Sequence, residues 1–346
     1  MKKNKVILIG AINEGNVPTC GETMKNQLFV KRFNELFDEV ITVDTLNWHK
    51  RPWILVKLFF TLLFNHGAKV IISASSSSAN KLIRLLYHLR LKKDVYYWVI
   101  GGLYHKLVAQ GQFNTKYLHF LKGIFVQGQE MVDVLVNLGL NNVVYVPNSK
   151  YINYLPPCSL KGQDEKLHFV FLSRVHPDKG CDYILKSVEQ LNVTHKGLFD
   201  VTFYGNLDMS YASFKEQIEK IDNIMYKGLL NLLNNDGYNE LSQYDVMLFP
   251  TFWDGEGFPG VIIDAYIASL PVIATDWNLN KTVIKDGETG WIIPIHSVEW
   301  LKKAMEDAIN NREKVREMAK NCNIKAMDYD SRTILSDIFF RKIGLL

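Results

Sequence analysis

The sequence predicts an α/β protein made of two doubly wound domains, each built on a parallel sheet. Short apolar runs alternate with longer amphipathic stretches along all 346 residues, and neighbouring parallel strands need such long crossover connections. A chain of this length is long for one domain and comfortable for two. Ligands of such sheets bind at the carboxyl ends of the strands, so we expect two facing domains with a cleft between them.

Twelve short apolar runs are predicted strands, six on either side of a linker. The first six are Val6–Ile9, Val40–Val43, Val70–Ser73, Val95–Ile100, Ile124–Val126 and Val143–Val146. The second six are Leu167–Leu172, Val201–Tyr204, Ile224–Tyr226, Val246–Phe249, Val272–Ala274 and Trp291–Ile293. Between them, Tyr151–Lys166 contains two adjacent prolines and a charged run, which is typical of a linker. We therefore expect domains over residues 1–150 and 151–330, followed by a helix over Ser331–Leu346.

Charge is divided unevenly between the two halves. Residues 1–150 hold 19 Lys and Arg against 9 Asp and Glu, a net charge of +10, and the remainder, with 21 and 27, has a net charge of −6. A basic half indicates an anionic partner, for which nucleic acid and an acidic membrane surface are the two candidates. The sequence contains no visible signature of an RNA- or DNA-binding module, so we expect no nucleic-acid partner.

A run of 13 residues, Pro52–Phe64, carries a single charge and is too short to cross a bilayer, which takes about 20 residues as a helix. Lys50 and Arg51 precede it and Trp53 lies near its start, an arrangement that suits a helix lying among lipid headgroups. A core helix beneath the sheet is the alternative, and the sequence leaves both open.

The four cysteines are scattered without a CxxC pair, which predicts free thiols rather than a disulfide framework or a zinc site. The apolar run after Met1 is too short for a signal peptide and is predicted to be the first strand. We therefore expect a cytoplasmic protein, with the inner face of the cell membrane as a possible place of attachment.

Two cations follow a predicted strand of the second half. Arg174 and Lys179 lie in the loop after Leu167–Leu172, and a helix is predicted to start near Lys179-Gly180. Cations at the carboxyl end of a strand and beside a helix N-terminus form an anion site suited to a diphosphate. A solvent-exposed loop with ordinary charges is the alternative.

A glycine-rich loop follows the strand Val246–Phe249 and leads into a predicted helix, Val261–Leu270. Its glycines allow the backbone to approach a ligand, and the helix directs its N-terminal amides at the loop. Glu256 and Asp264 are eight positions apart, close to two helical turns, so both carboxylates could face the cleft and clasp sugar and ribose hydroxyls. Asp264 as an ordinary surface residue of an amphipathic helix is the alternative.

The stretch Asp245–Pro294 closely resembles the family-four retaining glycosyltransferases of the GT-B fold. The likeness is carried by the segments Glu256-Gly257-Phe258-Pro259-Gly260, Leu270–Thr275, Asp286–Trp291 and Ser173–Gly180. Gly228-Leu229 and Val146–Ser149 match more weakly. The resemblance spans residues 124–310 and is thin over residues 1–120.

The resemblance implies roles for the residues that match. Arg174 and Lys179 would bind the donor diphosphate and stabilise the departing nucleotide, and Glu256 would lie close to the donor sugar. Asp264 stands where the family has the second Glu of a pair, which holds the ribose hydroxyls, and it is one methylene shorter.

Further donor contacts are implied by the same likeness. Backbone amides of Gly257, Phe258 and Gly260 would cradle phosphate, and the loop at Gly228-Leu229 would meet the base.

In the first half, Gly21 is implied to be a donor-binding residue, because it matches a glycine-rich loop that the family has near the donor phosphate and the acceptor. On the acceptor side, His105, after the fourth strand, is a candidate base or hydrogen-bonding residue, although a lone histidine is more often structural. The partners implied are a nucleotide-sugar donor, with UDP favoured, and a glycan or lipid-linked acceptor of surface polysaccharide biosynthesis. We expect no cofactor and no metal, because no Asp-x-Asp motif lies near a strand end and the two cations would replace a metal ion.

Two other functions compete with glycosyl transfer. One is a nucleotide-sugar epimerase on the same fold, and the other is a non-catalytic, lipid-binding partner subunit. A nicotinamide dehydrogenase is disfavoured, because no Gly-x-Gly-x-x-Gly follows the first strand. The presence of Arg174, Lys179 and Glu256 argues against a silent subunit.

Overall fold

The computed structural model describes residues 4–17, 20–90, 92–158 and 166–346. The chain divides into two compact units, one of residues 1–151 with 331–346 and one of residues 152–330. Part of the predicted linker, residues 159–165, lies outside the described residues. Each unit is built on its own six-stranded sheet, as predicted for an α/β protein with two doubly wound domains.

The sheet of the first unit is parallel throughout, in the order β2-β1-β3-β4-β5-β6. Its strands are β1 Lys5–Gly10, β2 Glu39–Asp44, β3 Lys69–Ser75, β4 Val95–Ile100, β5 Gly123–Val126 and β6 Val143–Tyr145. Successive residues of a strand point to opposite faces, so Val6 and Leu8 enter one core and Ile7 and Ile9 enter the other. Burial on both faces explains why β1 is a continuous apolar run.

Helices cover both faces of this sheet. They are α1 Gly21–Leu36, α2 Trp53–Phe64, α3 Ser76–Leu89, α4 Tyr104–Ala109, α5 Thr115–Leu118 and α6 Gln129–Asn137. Helix α1 packs through Phe29 and Phe33 on the face that contains Val6, and α2 packs through Ile54 and Leu58 on the opposite face. The core-helix interpretation of Pro52–Phe64 is therefore correct for one side of α2, while its other side is exposed. Among the described residues, no helix is long and apolar enough to cross a membrane.

The sheet of the second unit repeats this architecture, in the order β12-β11-β10-β7-β8-β9 and again parallel. Its strands are β7 Leu167–Leu172, β8 Phe199–Tyr204, β9 Ile224–Gly228, β10 Val246–Phe249, β11 Val272–Thr275 and β12 Gly290–Ile293. Its helices are α7 Cys181–Leu191, α8 Phe214–Ile218, α9 Asn235–Leu241, α10 Gly260–Ile267, α11 Asn280–Val283, α12 Val298–Asn310 and α13 Arg312–Ala326. All twelve predicted strands are confirmed, with end points shifted by two residues at most.

Each strand order reverses once, and the reversal determines where a ligand can enter. In the first unit the chain passes from β1 to β2 and then returns to the other side of β1 as β3. In the second unit it runs from β7 through β8 to β9 and returns beside β7 as β10. At such a switch point the loops after the two central strands diverge and leave a crevice at their carboxyl ends. The loops after β7 and β10 are the two that carry the predicted donor-site residues.

The C-terminal segment forms two short helices, α14 Ser331–Ile334 and α15 Asp337–Lys342, rather than the single predicted helix. It belongs to the first unit, where the ring of Phe340 lies 5.7 Å from that of Phe33 on α1. Arg32 of α1 also donates to the carbonyl oxygen of Leu335 at 2.9 Å. The partner that the sequence did not reveal is thus the outer side of α1.

Candidate active site

The loop after β7 turns sharply before α7 begins. A single 3-10 turn, Pro177–Lys179, leads into α7, which begins at Cys181, next to the predicted start near Lys179-Gly180. The ring of His176 accepts the N–H of Asp178 at 3.1 Å. Gly180 has a φ of 81°, and a Cβ there would lie 2.3 Å from the carbonyl oxygen of Pro250. Glycine is therefore required for this loop to close against the loop after β10.

The loop after β10 fixes the position of Glu256 through its backbone. The N–H of Glu256 donates to the carbonyl oxygen of Trp253 at 3.0 Å, and the Asn278 amide donates to the carbonyl oxygen of Glu256 at 3.0 Å. The Trp277 indole donates to the carbonyl oxygen of Trp253 at 2.9 Å. These three bonds hold the turn before any ligand is bound, so the carboxylate is preorganised.

Lys179 and Glu256 form an ion pair where the two loops meet. Lys179 is only 7% exposed, and its Nζ also lies 5.7 Å from the centre of the Trp253 ring. A buried ammonium needs a partner to offset its lost hydration, and here it has a carboxylate and an aromatic face. The structure thus brings together two of the predicted site residues at the switch point of the second unit.

Arg174 approaches the same indole from a more exposed position. Its guanidinium carbon lies 5.3 Å from the centre of the Trp253 ring, and Nη1 lies 3.9 Å from a carboxylate oxygen of Asp208. The side chain is 51% exposed. Trp253 therefore places both predicted cations around one ring while leaving the Arg174 charge accessible to a ligand.

Asp264 is buried in α10, only 5% exposed, so the interpretation of this residue as an ordinary surface position is wrong. Tyr238 of α9 donates its hydroxyl to Asp264 Oδ1 at 2.7 Å. Burial, followed by the nearby Asp264 charge, raises the pKa of Tyr238 well above its usual value, so the hydroxyl remains a donor. Asp264 and Glu256 thus have different partners.

The other predicted donor residues line the ends of β9 and α10. Gly228 ends β9 with a φ of 76°, and Leu229 after it is exposed. Phe258 buries its side chain in the core, so only its backbone is available to a ligand. Gly257 precedes it, and Gly260 is the first residue of α10 rather than Val261.

In the first unit, the predicted donor-binding Gly21 and the acceptor-side candidate His105 follow the carboxyl ends of β1 and β4. Gly21 is the first residue of α1, and a Cβ placed there would meet nothing within 4 Å. His105 is buried in α4, and among the described residues neither ring nitrogen has a hydrogen-bond partner. Its Nε2 lies 3.9 Å from Glu130, and burial lowers the pKa of the ring. A buried, uncharged imidazole is compatible with either a base or a structural residue.

Sequence reasoning missed Trp253 and Tyr238. Trp253 lies inside the glycine-rich loop after β10, and an aromatic residue close to these glycines was the available signal. Tyr238 gave no signal, because only the packing of α9 against α10 brings it to Asp264.

A cavity of about 780 Å³ lies elsewhere in the second unit, at the amino ends of β7, β8 and β9. Its lining includes His168 and Asp200, whose side chains lie 2.9 Å apart. It contains none of the predicted site residues, and ligands of doubly wound sheets bind at the opposite, carboxyl ends.

Comparison with known proteins gives matches to relatives over parts of their lengths. An uncharacterized 41.2 kDa protein in the cps region of Klebsiella pneumoniae is 28% identical over 164 residues, 46% of this chain and 43% of that protein. The UDP-Gal:alpha-D-GlcNAc-diphosphoundecaprenol alpha-1,3-galactosyltransferase of Escherichia coli is 26% identical over 195 residues, 53% of this chain and 49% of that enzyme. The chain thus spans less than half the length of these two relatives.

A solved structure matches over the whole chain. Anabaena HepE in complex with UDP has a TM-score of 0.70 at 13% identity, covering 99% of this chain and 100% of that one. This similarity shows the fold and confirms the predicted GT-B class. Residues 159–324 match the family model of glycosyl transferases group 1, so the similarity to that family lies in the second half of the chain.

Proposed function

We propose that the protein is a glycosyltransferase whose nucleotide-sugar donor binds at the switch point of the second unit. The observation that carries the proposal is Lys179, a buried ammonium held between Glu256 and the Trp253 ring at the carboxyl end of β7. A diphosphate entering there gains a cation that is already desolvated and fixed in position. The match of residues 159–324 to the model of glycosyl transferases group 1 supports the same function.

The proposed site divides the donor among separate groups. Lys179 and Arg174 take the diphosphate, assisted by backbone amides of Gly257, Phe258 and Gly260 at the N-terminus of α10. Glu256 lies beside the sugar.

The nucleoside is proposed to lie along α10 and β9. Asp264 accepts hydrogen bonds from the ribose hydroxyls, with Tyr238 holding its carboxylate in place. The loop at Gly228-Leu229 meets the base, which the exposed Leu229 side chain can cover.

In the reaction, the bond between the anomeric carbon and the diphosphate oxygen breaks, and a bond to the acceptor hydroxyl oxygen forms. Negative charge grows on the leaving diphosphate, so preplaced cations at Arg174 and Lys179 lower the barrier. We propose retention of configuration, in which a phosphate oxygen takes the acceptor's proton on the same face of the sugar. With two protein cations on the diphosphate, transfer is proposed to proceed without a metal ion.

The proposed donor is a UDP-sugar and the proposed acceptor a lipid-linked glycan of surface polysaccharide synthesis. The Escherichia coli relative is named for UDP-Gal and for a diphosphoundecaprenol-linked acceptor, and the HepE structure contains UDP. Both observations favour uridine over guanosine nucleotides.

A panel of UDP- and GDP-sugars, read by thermal unfolding, tests the donor assignment. A donor present at a hundred times its Kd stabilises the folded state by about 2.7 kcal/mol, and this gain should disappear in Lys179→Ala. Incubation of the best donor with lipid-linked acceptors, in the presence of a chelator, then tests transfer, and NMR of the product reports the anomeric configuration. A second sugar nucleotide released without acceptor would instead identify an epimerase.

A further inference from the structure

The outward side of α2 is apolar, although it faces solvent. Its exposed residues include Trp53, Val56, Phe60 and Phe64, at 58%, 56%, 47% and 71% exposure. These positions recur at helical spacing on the side opposite to the buried Ile54, Leu58 and Leu62. The rings of Phe60 and Phe64 stack on each other with centres 5.8 Å apart. The helix therefore presents an apolar stripe about three turns long to its surroundings.

Helix α3 packs on the same face of the same sheet but does not present such an apolar stripe to solvent. Its outward positions include Lys81, Arg84 and His88, while Leu82 and Ile83 face the core. This division is what a helix in contact with water normally has. Contiguous exposed apolar surface of the α2 kind marks an interaction site.

A basic cavity adjoins the C-terminal end of α2. It has a volume of about 200 Å³ and lies between the end of α2 and the end of α3, with His66, Arg90, Lys92 and Lys93 in its lining. Lys93 donates to the carbonyl oxygen of Asn65 at 2.6 Å, which ties the two segments together. The cavity is large enough for a phosphate group.

The chain segment that contains α2 and α3 is basic. Between Asp44 and Asp94 there is no Asp or Glu. The Lys and Arg next to the stripe and the cavity in this segment are Lys50, Arg51, Lys57, Arg90, Lys92 and Lys93. The segment that carries the apolar stripe is therefore basic, up to Asp94 directly after Lys93.

We propose that the exposed side of α2 and the adjoining basic cavity form a docking surface for an anionic phospholipid membrane. Phe60, Phe64 and Trp53 enter the boundary between headgroups and acyl chains, and Arg90 and Lys92 hold a lipid phosphate at the end of the helix. Trp53, at the opposite end of α2, lies beside Lys50 and Arg51, which reach headgroups on that side.

The charge of this surface favours a membrane over a second copy of the chain. A symmetric dimer on α2 would place the same patch against itself and so bring the basic residues of two copies together. An anionic bilayer complements both the charge and the apolar stripe. The cavity lies at the amino ends of β3 and β4, so docking there leaves the carboxyl ends of the strands, and His105, open. The proposal does not depend on the proposed transferase activity.

Vesicle co-sedimentation of the full-length protein tests this surface. Vesicles of phosphatidylcholine alone are compared with vesicles that also contain phosphatidylglycerol, at low and high salt. Wild-type protein should bind only the anionic vesicles and be released by salt, because screening weakens contacts with charged headgroups. Phe60→Ser with Phe64→Ser, and separately Arg90→Gln with Lys92→Gln, should each weaken binding about tenfold.

The matched control is Lys81→Gln with Arg84→Gln on α3, which removes the same charge outside the cavity and should weaken binding less than threefold. Circular dichroism checks that each variant is folded, and replacing exposed apolar residues leaves the core intact. Absence of wild-type binding to anionic vesicles at low salt overturns the proposal. So does a control pair that weakens binding as much as the cavity pair, or a wild-type dimer that Phe60→Ser with Phe64→Ser converts to monomer.

Discussion

The two units differ in how their buried polar groups are paired. In the second unit, the polar site residues at the carboxyl end of the sheet have partners. There, Lys179 pairs with Glu256, and Asp264 accepts the hydroxyl of Tyr238. Each of these four groups has its partner in the absence of a ligand. A preorganised site of this kind needs little rearrangement when a charged substrate arrives.

The first unit instead buries polar atoms that lack partners. Among the described residues, the amine of Lys25, the hydroxyl of Ser73 and both ring nitrogens of His105 make no hydrogen bond. An unsatisfied buried group costs about 1 to 3 kcal/mol, so these atoms destabilise the empty protein. The difference teaches that the motif-bearing loops of the second unit hold their charged groups in pairs, whereas the first unit buries polar atoms without hydrogen-bond partners.

Replacing Lys25 with methionine is the change with the largest expected effect on stability. Burial lowers the pKa of the Lys25 amine to about 7 from the usual 10.5. Between these values the unfolded chain holds the proton and the folded chain does not, so wild-type stability rises with pH across this window, and the cost is largest below it. Lys25→Met should therefore raise the free energy of unfolding at neutral pH by up to about 4 kcal/mol.

Urea denaturation at several pH values measures this effect, with Lys31→Met, an exposed lysine of the same helix, as the control. The advantage of Lys25→Met should shrink as the pH rises from 7 towards 10. A constant difference between variant and wild type across that range would mean that the Lys25 amine is not desolvated.

Unlike Lys25→Met, removing a cation from the second unit should lower the free energy of unfolding. It should also strongly reduce turnover. Lys179→Ala leaves the partly buried Glu256 carboxylate without its partner, and Arg174→Ala removes the more exposed cation. Each should cut turnover about a hundredfold or more, the size expected for deleting a group aimed at developing charge. Steady-state kinetics with the best donor from the thermal panel gives the measurement.

Lys186→Ala, an exposed lysine of α7, is the matched control and should keep wild-type turnover. The double variant Lys179→Met with Glu256→Gln restores the charge balance. If that variant regains stability, the stability lost in Lys179→Ala comes from the unpaired Glu256 carboxylate. Near wild-type turnover in both Ala variants would remove the diphosphate assignment.

Asp264→Asn tests the proposed contact with the ribose hydroxyls, and its expected effect is smaller than that of removing a cation. A carboxylate bonded to ribose hydroxyls contributes about 1.5 to 3 kcal/mol, so UDP affinity by calorimetry should fall about ten- to a hundredfold. Asp264→Glu keeps the charge and should lose less. Equal affinity of Asp264→Asn and wild type would show that another residue holds the ribose.

The sequence was most informative where a site is made from contiguous loops. All twelve strands and the residues of the loops after β7 and β10 could be predicted, because apolar runs identify parallel strands and the motif residues are close in sequence. The meeting of Lys179 with Glu256, 77 positions apart, follows from the switch point once the strand order is known.

The features that could not be predicted from the sequence depend on packing between distant elements. The partner of the C-terminal segment is α1, some 300 residues earlier, as the bond from Arg32 to Leu335 shows. The two sides of α2 could not be told apart, because both are apolar and only the position of the sheet decides which is buried. Lys25 falls in an amphipathic helix where a lysine is ordinarily assumed to reach solvent.

Tyr238→Phe has the smallest expected effect, and it tests whether Tyr238 acts on the nucleotide through Asp264. The Tyr238 hydroxyl donates to Asp264 and cannot ionise near neutral pH, so its contribution is to orient the carboxylate rather than to supply charge. Losing that orientation should weaken UDP binding only a few-fold and raise KM, with turnover at saturating donor unchanged. Tyr211→Phe, which removes another tyrosine hydroxyl bonded to an aspartate, Asp182, is the control and should leave KM unaltered. A double-mutant cycle with Asp264→Asn then decides the role: if Tyr238 acts through Asp264, its effect disappears once the carboxylate is gone, and if the two effects add, Tyr238 meets the nucleotide directly.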